Sequence, residues 1–298
     1  MDKKPTSVEE VYRSSRKGCL HHGLVLEAAG IPYKIRQESG ESIIVVPASL
    51  AARARTEIDA YTRENQASPS VPTTVFEQRN GWPGVFGYAV VLLLMLVLQR
   101  QGILSENWFD AGKLHAGLIR QGEWWRTVTA LTLHSDLLHL VSNIGFGGLI
   151  GLFVGQLLGS GLAWISILFA GAAGNLLNAW VRDPQHTSVG ASTAVFAAFG
   201  IVAAFSTIHR RHLPASKFAR YTPIVGAVVL LSYLGTSGER TDVFAHVAGF
   251  LAGLLLGALY GKSGDRIMMG TRTQLLLGIG TVAFLGLTWV IALTRHGP

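Results

Sequence analysis

The chain has 298 residues, of which 49% are hydrophobic and 14% charged, and 25 lysines and arginines against 18 acidic residues give it a net charge of +7. Soluble domains are about a quarter charged, so this composition argues against a soluble enzyme and favours a polytopic membrane protein. Its basic excess then belongs to loops rather than to a nucleic-acid interface, and the single cysteine, Cys19, excludes both an intrachain disulfide and a cysteine metal cluster.

Residues 1–65 are predicted to form a small α+β soluble domain with the order α-β-β-α. The segment 19–30 has helical periodicity and ends on Gly30, a residue suited to a helix C-terminus. Two strands are predicted at 33–37 and 42–47, around a turn of Glu, Ser and Gly. A second helix is predicted over 49–65 with Ser49 as its N-cap, followed by a linker at 66–81.

Apolar segments dominate from Trp82 onward, and seven of them are read as membrane spans, each needing roughly 20 residues. The first six form a core over 82–260, and residues 261–298 supply a loop and a seventh helix. The fifth span is short, and the long, Trp-rich connection from Gln99 to Asp136 suits the membrane interface. The predicted spans are Trp82–Leu98, Leu137–Leu158, Leu162–Trp180, Val189–Ile208, Tyr221–Leu234, Val243–Tyr260 and Leu275–Leu293.

Basic residues are more frequent after spans four and six than after spans three and five, which predicts a cytoplasmic N-terminus. The long first connection carries Lys113, Arg120 and Arg126 and points the other way. Long loops weigh less in this rule, so we expect the N-terminus to be cytoplasmic.

Polar side chains inside membrane spans are costly and are functional candidates by default. Ser192 lies near the start of span four and His246 near the start of span six. Both spans are even-numbered and run in the same direction, so the two side chains are predicted to share one depth. Span two, which runs in the same direction, carries a further polar set, comprising His134, His139 and Asn143.

A serine hydroxyl becomes a nucleophile when a base, most often histidine, lies within hydrogen-bond reach. Gly249 and Gly253 form a small-residue stripe that would let spans four and six approach closely. His139 and Asn143 are four residues apart and share a helix face, so both can point at one developing oxyanion. Each residue also has a simpler reading as helix packing, a helix-helix hydrogen bond or a proton relay. Asp242 is either a partner that orients His246 or the N-cap of span six.

The order and spacing of these motifs resemble the rhomboid family of intramembrane serine proteases, over roughly residues 82–260. The resemblance implies a Ser192–His246 dyad without a third acid, and an oxyanion site made by His139, Asn143 and the Ser192 backbone. It also implies a first loop embedded sideways in the outer leaflet. The motifs that carry the resemblance, including the supporting residues, are Trp125-Arg126, His134, His139-x-x-x-Asn143, Gly190-x-Ser192, Phe196 and Ala245-His246-x-x-Gly249.

Three positions depart from the usual family pattern. Thr193 stands where many members have glycine, and Phe196 replaces a tyrosine beside the histidine. Gly155-Gln156 occupies the place of an acidic residue near the end of span two. The seventh span adds one helix to a six-helix core, as in a six-plus-one member.

The sequence therefore predicts an all-α polytopic membrane protein with a small N-terminal α+β domain, acting as an intramembrane serine endopeptidase. We expect its partners to be transmembrane protein substrates and the lipid bilayer, with no nucleic acid. No metal or organic cofactor is expected, since no HExxH motif or strand-linked phosphate loop occurs. The expected location is a bacterial inner membrane. The alternatives are a non-catalytic relative that binds transmembrane helices and, as a third class, a transporter.

Overall fold

The computed structural model describes residues 7–38, 40–65, 79–102, 107–209, 217–234, 242–263 and 269–296. The chain divides into two compact units, Met1–Thr74 and Val75–Pro298. Most of the predicted linker, 66–81, lies outside the described residues, so the domain boundaries placed there remain a prediction.

The N-terminal unit is a three-stranded antiparallel sheet with two helices. Its elements are β1 (Val8–Ser14), α1 (Arg16–Ala28), β2 (Lys34–Glu38), β3 (Glu41–Pro47) and α2 (Ala51–Glu64), with strand order β1-β3-β2. The apolar strand β3 is central, and its Ile44 pairs with Tyr12 on one side and Ile35 on the other. Leu26 and Ile58 from the two helices join Ile44 in the buried core.

Two local predictions in this unit change. Strand β1 was not predicted, because its short sequence, VEEVYRS, lacks the strict alternation of apolar and polar residues that marks a half-buried strand. The N-cap predicted at Ser49 is wrong: Ala48–Leu50 forms a 3-10 turn, and α2 starts afterwards without a side-chain cap. Gly30 does end α1, with a positive φ of 69° that favours glycine and a hydrogen bond from its N–H to the Glu27 carbonyl.

The second unit is a helical bundle with a structured first connection. The helices and two short strands are α3 (Trp82–Gln101), α4 (Trp108–Gly112), β4 (Leu114–His115), α5 (Ala116–Arg120), α6 (Arg126–Thr129), α7 (Leu137–Leu158), α8 (Ser160–Val181), β5 (Thr187–Ser188), α9 (Ser192–His209), α10 (Lys217–Leu234), α11 (Val243–Ser263) and α12 (Thr271–His296).

Every predicted span corresponds to one of the long helices of this unit. Five of them, α3, α7, α8, α11 and α12, are long and apolar enough to cross a membrane, and α9 and α10 contain shorter apolar stretches. Large apolar side chains such as Phe86 and Leu138 are about three-quarters exposed, at 74% and 77%, as a lipid-facing surface requires. The chain is a multi-pass integral membrane protein with an all-α membrane unit.

Span four starts later than predicted, at Ser192 instead of Val189. Gly190 has a φ of 132°, which no helical residue adopts, and Thr187–Ser188 pairs with Leu114–His115 as a short β-ladder. The backbone before Ser192 is therefore held by the first connection. This correction places the serine at the first residue of α9.

Helix α9 lies at the centre of the bundle and packs against α7, α8, α10 and α11. The seventh helix, α12, packs against α8 and against α4 and α6 of the first connection. Near one end, the Gln274 side chain accepts from the Leu162 N–H and donates to the Leu158 carbonyl, at 2.9 and 2.7 Å. Towards the other end, Trp289 donates to the buried Thr132 hydroxyl at 3.1 Å.

Candidate active site

Ser192 and His246 lie side by side on two helices that run in the same direction. Ser192 is the first residue of α9 and His246 lies in the first turn of α11. The His246 Nε2 atom is 2.8 Å from the Ser192 Oγ atom, and the histidine is buried. This is the geometry in which an imidazole can accept the proton of a serine hydroxyl.

A stripe of four glycines brings these two helices into backbone contact. A Cβ atom on Gly249 would overlap the Thr193 carbonyl oxygen, and one on Gly253 would overlap the Ala197 carbonyl oxygen. The stripe continues through Gly257 and Gly261, further than the two glycines singled out from the sequence. The close approach allows two short side chains, a hydroxyl and an imidazole, to meet across the interface.

Two neighbours of the dyad explain departures from the family pattern. The Phe196 ring lies 4.6 Å from the His246 ring, centroid to centroid, so the aromatic contact persists without a hydroxyl. Thr193 is buried, and its methyl group fills the space left by the missing side chains of Gly174 and Gly249. The threonine therefore fits because glycines on α8 and α11 face it.

The backbone before Ser192 is fixed against the segment that leads into α7 and against the first turn of that helix. The Gly190 N–H donates to the Ala130 carbonyl at 2.9 Å, and the Ala191 N–H donates to His134 Nε2 at 3.5 Å. A Cβ atom on Gly190 would lie 2.6 Å from Cε1 of His139. Glycine at 190 is therefore required both by its positive φ and by the proximity of this ring.

The first turns of α7 carry the predicted oxyanion side chains. Asp136 caps the helix by accepting from the His139 N–H at 2.8 Å, and the His139 ring lies beside Gly190. Asn143 is buried and donates one amide hydrogen to the His139 carbonyl at 2.9 Å, while the Tyr88 hydroxyl donates to the Asn143 carbonyl at 2.8 Å. An amide carries a second donor hydrogen, so an oxyanion role for Asn143 remains a prediction.

Trp125 and Arg126 belong to the framework of the first connection. Arg126 is 1% exposed, and its guanidinium donates to Glu123 at 2.5 Å and to the Asp110 and Lys113 carbonyls at 2.7 and 2.9 Å. Trp125 is buried in a cluster with Leu133 and Trp289. Both residues therefore stabilise the loop.

A polar cluster next to the dyad was not predicted from the sequence. The Asp242 carboxylate contacts His186 Nε2 at 2.7 Å and accepts from the Asn178 amide at 2.6 Å. Its other oxygen accepts from the Ala245 N–H at 3.2 Å, which confirms the N-cap interpretation of Asp242. Burial raises the pKa of this carboxyl, but the hydrogen bonds from His186, Asn178 and Ala245 outweigh it and leave the pKa below its usual range.

This cluster could not be predicted from any single segment of the sequence. His186 was left unassigned because it lies in a loop, and its partner Asp242 is 56 residues away in the chain. Elsewhere in the part of the chain that the structure describes, no group of three or more His, Cys, Asp or Glu side chains is placed to hold a metal ion.

Known proteins resemble this chain in the same region. Residues 121–263 match the Rhomboid domain family. Rhomboid-like protease 3 of Toxoplasma gondii is 33% identical over 151 residues, covering 51% of this chain and 57% of that protein. Rhomboid protease GluP of Bacillus subtilis is 28% identical over 218 residues, covering 71% and 41%, and Rhomboid-like protease 1 of Toxoplasma gondii is 31% identical over 154 residues, covering 51% and 52%.

The fold and the matched segment define a multi-pass membrane protein with the helical core of an intramembrane protease family. The Rhomboid domain match and these relatives place residues 121–263 of the chain in the rhomboid family. It spans about half the length of the relatives it matches, so their activities are attributed to those proteins as whole chains.

Proposed function

We propose that this protein is an intramembrane serine endopeptidase that cleaves the transmembrane segments of other membrane proteins. The observation that carries the proposal is the 2.8 Å contact between Ser192 Oγ and His246 Nε2, at the start of two tightly packed helices. The names of the relatives, which are rhomboid proteases, point to the same chemistry.

In the proposed reaction His246 Nε2 takes the Ser192 proton as Oγ attacks the peptide carbonyl carbon. The tetrahedral intermediate collapses when the imidazolium gives that proton to the leaving amine, so the C–N bond breaks and an acyl-enzyme remains. Water then attacks the ester with His246 as the base. The proton it loses returns to Ser192 Oγ as the carboxylic acid leaves.

The oxyanion of each intermediate needs hydrogen-bond donors that are already in place. We assign this role to the His139 ring, the second amide hydrogen of Asn143 and the Ser192 backbone N–H. Gly190 admits the His139 ring to the vicinity of the serine. The Phe196 ring packs beside the His246 imidazole and helps to hold it, and the resemblance to rhomboid proteases implies a dyad without a third acid.

We further propose that the protein sits in a bacterial inner membrane with its N-terminal unit in the cytoplasm. The distribution of basic residues between loops supports this orientation, and the dyad would then lie towards the outer face. The relatives come from a bacterium and from eukaryotes, so this proposal does not rest on their organisms.

A fluorophosphonate probe tests the proposed function, because it reacts with an activated serine and needs no knowledge of the natural substrate. Purified protein should label on one site, and Ser192→Ala and His246→Ala should each abolish both labelling and cleavage of a reporter transmembrane substrate. A non-catalytic helix-binding relative would bind the reporter without labelling. A transporter would do neither. Full cleavage by either variant would refute the dyad.

A further inference from the structure

We propose that the contacts of Asp242 with His186 and Asn178 set the position of α11 along α9, which makes Asp242 and His186 positioning residues for the dyad. The catalytic part of this inference rests on the proposed function. The structural part, that these contacts fix the helix register, does not depend on it.

The glycine stripe between α9 and α11 fixes their separation but not their register. Gly249, Gly253 and Gly257 face the carbonyls of Thr193, Ala197 and Ile201, and each glycine follows its partner by 56 positions. Because the glycines recur every fourth residue, sliding α11 by one turn would offer the next glycine to the same carbonyl. Such a slide of four residues moves the helix by about 6 Å, which would separate His246 from Ser192 altogether.

Register must therefore come from contacts that do not repeat along the helix. Asp242 is the residue immediately before α11 and lies four residues before His246. Its carboxylate is 11% exposed and reaches two different parts of the chain, the Asn178 amide at 2.6 Å and His186 Nε2 at 2.7 Å. The only other charged group within 4 Å of it in the described chain is Arg182, at 3.8 Å.

The two partners of Asp242 lie in different places: Asn178 belongs to α8, and His186 belongs to the loop that leads to Ser192. Asn178 is fully buried in the last turn of α8. The His186 carbonyl accepts from the Ala116 N–H at 3.0 Å, and the next two residues form β5 against β4. His186 is six residues before Ser192. The contacts of Asp242 with His186 and Asn178, here called the lock, therefore connect the loop that leads to Ser192 with the first turn of α11, which carries His246.

The partly buried Asp242 carboxylate of the lock has the hydrogen-bond donors that a buried charge requires. The depressed pKa of Asp242 keeps the carboxylate ionised as an acceptor for three donors, because the hydrogen bonds from His186, Asn178 and the Ala245 N–H outweigh desolvation. The hydrogen bonds of a partly buried carboxylate to three donors form in only one relative position of the helices, whereas apolar contacts can re-form after a slide. It can therefore define one register among several that the glycines would tolerate.

The kinetic test uses His186→Ala, Asp242→Ala and the double variant, with the fluorophosphonate labelling rate of Ser192 measured beside kcat and KM for a reporter substrate. A shift of about 1 Å in reacting groups can cost roughly a hundredfold. We expect each single variant to lose about ten- to a hundredfold in both labelling rate and kcat with KM unchanged. The double variant should be no worse than either single one, because both break one device.

Two matched variants separate positioning from general damage. His186→Gln retains an N–H donor for Asp242 and should recover most of the lost kcat. Asp183→Asn changes an exposed acid of the same loop that bonds the Gln185 N–H, and it should leave all three measurements unchanged. Full kcat in both alanine variants, or losses that simply add in the double variant, would overturn the positioning role.

A distance measurement tests the register without any catalytic readout. Spin labels at Phe169 on α8 and Leu255 on α11, both exposed to the surroundings of the bundle, report axial movement of α11 in a Cys19→Ser background. Asp242→Ala should shift or broaden the distance by up to about 6 Å, whereas Asp183→Asn should not. An unchanged narrow distance would overturn the lock. A wild-type protein that neither labels nor cleaves would instead refute the proposed function, leaving the distance to decide the register.

Discussion

Gly249 on α11 lies directly against the carbonyl oxygen of Thr193 on α9, with no room for a single carbon atom between them. The contact is one residue from Ser192 and three from His246. Any group added here must move one helix away from the other. The distance between Ser192 and His246 therefore depends on residue 249 having no Cβ atom.

Gly249→Ala is accordingly predicted to lower kcat by about a hundredfold or more, and to lower the melting temperature, because the new methyl group overlaps backbone. Gly280→Ala on α12 is the matched control, since nothing lies within 4 Å of a Cβ atom there. Turnover and melting of both variants are measured in one detergent. Normal turnover in Gly249→Ala would mean that the helices separate without disturbing the dyad.

Asn143→Ala is predicted to lower kcat more than it raises KM. A donor aimed at developing negative charge acts in the transition state, and losing one typically costs roughly a hundred- to a thousandfold in kcat. The remaining donors would keep the loss at the lower end. Ser142→Ala alters the adjacent, less buried position and serves as the control. If Asn143→Ala loses thermal stability but keeps its turnover, the residue only bridges backbone groups, and its role at the oxyanion site is refuted.

The state of Asp242 predicts how stability changes in acid. Its pKa is lower in the folded protein than the ordinary value of about 3.9, so its ionised form stabilises the fold. That contribution is fully present above the ordinary value and is lost as the pH falls through the folded pKa. The charged or titratable side chains facing it in the described chain are His186 and Arg182.

The melting temperature of wild type minus that of Asp242→Asn, followed from pH 6 to pH 3, isolates this group. The difference should be positive at pH 6 and should narrow only below about pH 4. A difference that already disappears between pH 6 and 5 would contradict the lowered pKa.

Trp289 is predicted to be the main anchor of the seventh helix. Its ring is buried against Trp108, and its N–H donates to Thr132. Trp289→Phe should cost about 1 kcal/mol for the lost hydrogen bond, and Trp289→Ala about 3–5 kcal/mol for the lost ring. Val290→Ala, at a neighbouring exposed position, should cost little. Reversible unfolding in detergent compares the three, and equal costs at 289 and 290 would contradict the anchor.

The membrane helices could be predicted from the sequence because a bilayer forces each spanning segment to satisfy its own backbone hydrogen bonds. Long apolar runs are then helices, and polar residues inside them stand out. Matching depth on same-direction helices placed Ser192 opposite His246, and the structure gives their atoms a separation of 2.8 Å. Helix ends were less predictable, as the start of α9 shows, because a β-ladder with a distant segment replaces the first helical turn.

The lock and the seventh-helix anchor could not be predicted in the same way. His186 and Asp242 are distant in sequence, and neither has a motif that selects the other. Trp289 looks like any tryptophan at the end of a span, and its contact with Thr132 depends on how the first connection folds back. Predicting such pairs requires the three-dimensional path of the loops, which hydropathy does not contain.

Gly190 has a consequence at the level of the gene. Its backbone φ of 132° and its contact with the His139 ring both exclude a side chain. Every amino-acid replacement that one nucleotide change can make in a glycine codon adds a Cβ atom. No amino-acid replacement reached by a single nucleotide change therefore leaves the structure at residue 190 undisturbed. We expect its codon to vary only synonymously in any lineage that depends on this site.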